Sequence, residues 1–178
     1  MALSCPSSIA PSAIPVTRMD SLGRPDRMPP PIDMSWRAPD PDVPLQVCLR
    51  VSHTHSLQSR SRHWAIFWDV PYQDSKIRAN RILHVVADQG KKIFVNYGPL
   101  TKFVSEEDRW SSRELALGVI NLTARHQLEV IASRTPTSPA STDWNGQDWV
   151  EAVLREAVLL GLLSRDPVES ALISARAA

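Results

Sequence analysis

Two histidines and two cysteines carry most of the reactive chemistry in this chain. His63 stands in Arg62-His63-Trp64-Ala65-Ile66-Phe67, and His84 follows in Ile82-Leu83-His84-Val85. A strand histidine can take a proton from a thiol or hydroxyl held within reach, and a second polar side chain can orient its ring. The cysteines are Cys5 and Cys48. An antiparallel pairing centred between His55 and Ser56 would set Cys48 opposite His63, with Cβ atoms about 4.5–5.5 Å apart. The same cysteine reads equally as a small hydrophobe filling core volume. His53-x-His55 adds imidazoles close by, but no cysteine or carboxylate completes a ligand set at a standard spacing, so no metal is expected. Trp64, Trp68, Trp110, Trp144 and Trp149 offer stacking faces, yet their alternating or helical spacing assigns most of them to a core. Arg60, Arg62, Lys91 and Lys92 read as a solvated rim, and Glu106-Glu107-Asp108 as a solvated loop.

The 178 residues suffice for one ordinary domain. Twenty Lys and Arg stand against 19 Asp and Glu, a formal charge of +1, which excludes a basic coat for nucleic acid. The longest apolar run, Ala157 to Leu163, is far short of the roughly 20 residues a membrane span needs. Six scattered glycines form no phosphate-cradling loop, so no nucleotide or other cofactor is expected. Two cysteines make no disulfide framework, and the N-terminus lacks a basic and apolar leader; a cytoplasmic or nuclear setting is the expectation.

Ten of the 15 prolines and all four methionines fall within residues 1–44, where Trp36 is the sole aromatic. That composition predicts a disordered, proline-rich arm over 1–44 and a folded domain over 45–178. Leu45 to Val51 alternates apolar and polar residues like a half-buried strand. Arg62 to Trp68, Ile82 to Ala87 and Lys92 to Tyr97 read as further strands, the last two joined by a hairpin turn at Asp88 to Lys91. Leu115 to Leu122 is read as a fifth strand, since Val119 and Ile120 are β-branched and Gly118 weakens a helix. Helices follow: one capped by Thr123 and running to Ser133, one from Gly146 to Leu163 capped by Asn145 or Asp143, and a last one opened by Asp166-Pro167-Val168-Glu169. Trp149, Val150, Val153, Leu154, Ala157 and Val158 form the apolar stripe of the middle helix. Strands first and helices after predict an α+β domain built on a small antiparallel sheet of about five strands.

Three pieces in order carry a resemblance: His63 on one strand, His84 on the next, and Asn145-Gly146-Gln147-Asp148-Trp149-Val150 opening a helix. Over roughly residues 63–155 the chain resembles the lecithin retinol acyltransferase branch of the NlpC/P60 superfamily. That resemblance implies a circularly permuted papain-like fold in which the strand histidine precedes the nucleophile. It implies further that His63 is the base, His84 its orienting partner, and position 146 the seat of the catalytic cysteine. A thiol at a helix N-terminus is stabilised as thiolate by the helix dipole and by unpaired N–H groups.

Position 146 is glycine, which has no nucleophile. The expectation is therefore a catalytically inactive relative of the permuted papain-like thiol hydrolases and acyltransferases. It would bind a protein, peptide or acyl-bearing ligand between His63 and the helix start, with Trp64, Asn145, Gln147 and Asp148 as contact residues and free N–H groups for an anion. The alternatives are an active enzyme whose nucleophile is displaced to Cys48, and a plain interaction domain whose likeness is accidental.

Overall fold

The computed structural model describes residues 29–52, 62–72, 77–88, 93–104, 111–137 and 144–178. Seven strands come first: β1 (Leu45–Ser52), β2 (His63–Val70), β3 (Arg78–Leu83), β4 (Val85–Asp88), β5 (Ile93–Asn96), β6 (Leu100–Val104) and β7 (Ser112–Ile120). Three helices follow: α1 (Leu122–Arg134), α2 (Gly146–Leu159) and α3 (Arg165–Ala177). The fold is α+β, with an antiparallel five-stranded sheet in the order β6-β3-β2-β1-β7 and a two-stranded sheet of β4 and β5.

Strand alternation sends one set of side chains toward the helices. Val47, Leu49 and Val51 of β1 and Trp64, Ile66, Trp68 and Val70 of β2 join one apolar core with Trp149, Val150, Val153, Leu154 and Ala157 of α2. Leu128 and Ile131 of α1 and Val168, Leu172 and Ala175 of α3 complete it. The middle helix thus buries nearly the stripe its spacing predicts; Val158 is only half-buried. Its start is fixed by a capping box: Asn145 accepts from the Gln147 amide, and Asp148 accepts from the Asn145 amide at 2.7 Å.

Several boundaries depart from expectation. The run Ile82 to Ala87 is not one strand. It breaks at His84, with β3 pairing to β2 and β4 pairing to β5 in the other sheet. β6 was not foreseen, because Leu-Thr-Lys-Phe-Val alternates too briefly to stand out beside Pro99. α1 is capped by Asn121, whose side chain accepts from the Ala124 amide, rather than by Thr123, which lies inside the helix. α3 is preceded by Ser164 without a side-chain cap bond, so Asp166 sits in the first turn and does not cap. In β7 one extra residue, Leu117, bulges opposite Val47 and Cys48, and Gly118 takes a φ of 155° there. Gln46 Nε2 donates to the Gly118 and Val47 carbonyls and so satisfies the distorted ladder.

Part of the expected arm, within residues 29–44, is packed onto the folded domain. Met34 and Ala38 are buried in the core, and the Met34 amide donates to the Thr101 carbonyl on β6. Asp33 accepts from the Thr101 amide, and Asp40 pairs with the buried Arg125 of α1. Burial works to raise the Asp33 carboxyl, but hydrogen bonds from Ser35 and Thr101 and the charge of Arg81 hold it below the usual carboxylate range. These polar anchors offset what the segment lacks in apolar residues. Residues 1–28 lie outside the described residues, as do the Asp88–Lys91 turn beyond Asp88, His53, His55, Arg60, Lys91, Lys92, Glu106 to Asp108 and Trp110.

Candidate functional site

Breaking the chain at His84 has a local consequence: the imidazole that ends β3 turns toward the head of the neighbouring β2. His63 Nε2 and His84 Nδ1 lie 2.9 Å apart, with ring centroids 5.1 Å apart and planes 74° from parallel. Such a contact needs one N–H and one lone pair, so the two rings share a single proton along that line. His84 is 2% exposed and His63 half-buried, so His63 is the more accessible of the two rings.

The start of α2 is tied to the same place. Gln147 Nε2 donates to the Arg62 carbonyl at 3.0 Å, one residue before His63. A Cβ built on Gly146 would lie 3.3 Å from Val85 Cγ2 and 3.6 Å from the Val85 carbonyl, one residue after His84. Phe94 of β5 stands 4.0 Å from that point and packs edge-on against Trp144. Position 146 therefore lies against Val85, the residue after His84, with Phe94 and Trp144 beside it, and its helix is tied to the residue before His63. Gly146 does not need a left-handed backbone, and a Cβ there requires Val85 to yield by only a few tenths of an ångström.

Other candidate residues have different work. Trp64 is 2% exposed and belongs to the helix-side core, because the alternation of β2 turns it to the face opposite its neighbour His63. Asn145 and Asp148 are engaged in the capping box, and Gln147 ties α2 to β2. The Gln147 amide is taken by Asn145, so the helix start does not present that donor to an anion.

Cys48 is not opposite His63. The β1–β2 register pairs Cys48 with Phe67 and His63 with Ser52. Four residues of strand separate Cys48 from the position facing His63, about 13 Å at the usual rise, so the dyad does not form. Burial pushes the Cys48 thiol up to about 11, and the nearby carboxylates of Glu114 and Asp69 push in the same direction. A thiol so placed is a poor nucleophile at neutral pH.

Cys48 instead adjoins a polar network that the sequence does not announce. Arg50 is 1% exposed; its Nη2 donates to Asn80 at 2.8 Å and to Glu114 at 2.7 Å, and its guanidinium lies 3.8 Å over the Phe67 ring. Arg78 pairs with Asp69 and with Glu114, and Asn80 also donates to Asp69. Burial lowers Arg50 from its ordinary value, although Glu114 opposes this. Burial alone would raise Glu114, yet Arg50 and Arg78 hold it low. Among the described residues no cluster of three or more His, Cys, Asp or Glu is placed to hold a metal ion. No helix among them is long and apolar enough to cross a membrane. No protein-family model, curated protein or solved structure matches this chain.

Proposed function

We propose that this chain is a non-catalytic relative of the permuted papain-like thiol hydrolases and acyltransferases, and that it acts as a binding domain for a protein, peptide or acyl-bearing ligand. One observation carries the reading: two imidazoles joined at 2.9 Å sit on segments whose adjoining residues, Arg62 and Val85, contact a helix start whose first residue, Gly146, has no side chain. A base with an orienting partner is the costly half of a thiol site, since it must be held within a few tenths of an ångström. The group it would activate is missing. What remains is His63 as a hydrogen-bonding group near the apolar side chains of Val85, Phe94 and Trp144, a pairing that would suit a ligand with a polar head on an apolar body. The displaced-nucleophile alternative loses its support with the Cys48–Phe67 pairing.

The test restores the missing group. Gly146→Cys, in a background with Cys5 and Cys48 replaced by serine and alanine, is labelled with iodoacetamide across pH 4–9, with and without His63→Ala. Labelling that sets in well below the free-cysteine pKa of about 8.5, and only when His63 is present, is the expected result. A thiol that titrates normally whether or not His63 is there overturns the proposal and leaves an interaction domain with two hydrogen-bonded strand histidines.

A further inference from the structure

Away from the histidines, α1 and α2 enclose a groove of about 690 Å³. Trp149 Nε1 donates to the Thr135 carbonyl, which sets the first turn of α2 against the end of α1 and leaves the outer faces of both helices to form the walls. Val130, Ile131, Leu160 and Leu162 give the groove its apolar lining, and Arg134 and Glu156 its charges. Val130 is 45% exposed and Leu160 58%, and the adjoining Leu159 stands out at 78%. The surface thus carries an apolar hollow and an apolar ridge side by side. Neither charge has an ion-pair partner among the described residues: Arg155 and Arg176 pair with Glu151, and no acid pairs with Arg134.

We infer that this groove is a self-association surface whose occupant is a second copy of the same chain, docked about a two-fold axis. A two-fold contact sets residue i against j and j against i, so a patch that closes on itself must hold both members of each complementary pair. This one does. It offers a hollow for the partner's Leu159–Leu160 ridge, and an unpaired cation and anion for reciprocal Arg134–Glu156 pairs. A ligand of a single charge would match only one of these two exposed side chains. The formal charge of +1 imposes little long-range repulsion between copies.

Sedimentation equilibrium of the full chain tests this. The parent chain is expected to dimerise, and R134E and E156R each to weaken the dimer at least about tenfold, because each puts like charges opposite one another twice. An equimolar mixture of the two variants is expected to recover dimer, since the R134E copy supplies two carboxylates to the two cations of the E156R copy. Unchanged far-ultraviolet circular dichroism of each variant shows that the fold is intact. Three results would each overturn the inference: a parent chain monomeric at several hundred micromolar, a dimer indifferent to both reversals, or reversals that dissociate the dimer without rescue on mixing. The first leaves the groove to a different partner, and the others place the contact elsewhere.

Discussion

The two faces of the five-stranded sheet bury their centres to the same degree by opposite means. Leu49 and Arg50 are neighbours on β1, and neither is more than 1% exposed. Leu49 points into the helix-side core, where apolar area removed from water provides the stabilisation and no direction is demanded of the contact. Arg50 points the other way, among Phe67, Asn80 and Glu114, where every donor must find its acceptor or desolvation goes uncompensated. The first face tolerates adjustment. The second depends on each partner, and Cys48 of β1 and His63 of β2 belong to strands that build it, while His84 directly follows β3. A site on such a face is held in place by directional bonds, and a strand cysteine on it is discouraged from ionising, by burial first and by Glu114 and Asp69 after it.

Breaking the apolar side is expected to give the largest effect. Trp149→Ala removes a 1% exposed indole from the centre of the helix-side core together with its hydrogen bond to the Thr135 carbonyl. A loss of about 3–5 kcal/mol is expected in urea unfolding. Breaking the polar side should come next. Arg50→Ala strips the Nη2 bonds from Asn80 and Glu114 and uncovers the Phe67 ring, at about 2–3 kcal/mol. Were Arg50→Ala to cost less than about 0.5 kcal/mol, the second face would have to be regarded as ordinary solvated surface, and the contrast would fall.

The apolar face was largely legible in the sequence, and the polar face was not, for a physical reason. Alternation in Leu45 to Val51 and the helical stripe from Trp149 to Ala157 are local patterns, and both elements form where those patterns place them. An arginine at the polar phase of a strand reads as solvent-facing. Its actual partners, Asn80 and Glu114, lie 30 and 64 residues away and are joined to it only once the sheet is assembled. The same limit explains the rest. That His63 and His84 meet was implied only by the resemblance their motifs carry, and Ile82 to Ala87 looked continuous because nothing local says that one chain segment serves two sheets. The Cys48–His63 pairing assumed a turn position, and a register depends on where the turn falls. The burial of Met34 and Ala38 was hidden because the prolines around them dominate the local composition.

Acid titration offers the finest discrimination between the faces. The folded state holds the Glu114 carboxyl below its ordinary value of about 4.3, as Arg50 and Arg78 outweigh the burial that would raise it. A group depressed in this way contributes stability that is fully present above the unfolded value and lost as pH falls through the folded one. Urea unfolding at pH 7 should therefore show Glu114→Gln less stable than the parent by on the order of 1 kcal/mol, because a neutral amide still accepts a hydrogen bond but gives up the charge. The two stability curves should approach each other as pH drops from about 5 toward 3, since the parent loses there what the variant never had. Asp33 is also depressed, but it is present in both chains and cancels from the difference. A gap that stays constant from pH 7 to pH 3 would mean that Glu114 supports Arg50 through shape alone. In that case the directional account of the second face would apply to its Arg50–Asn80 bond and no further.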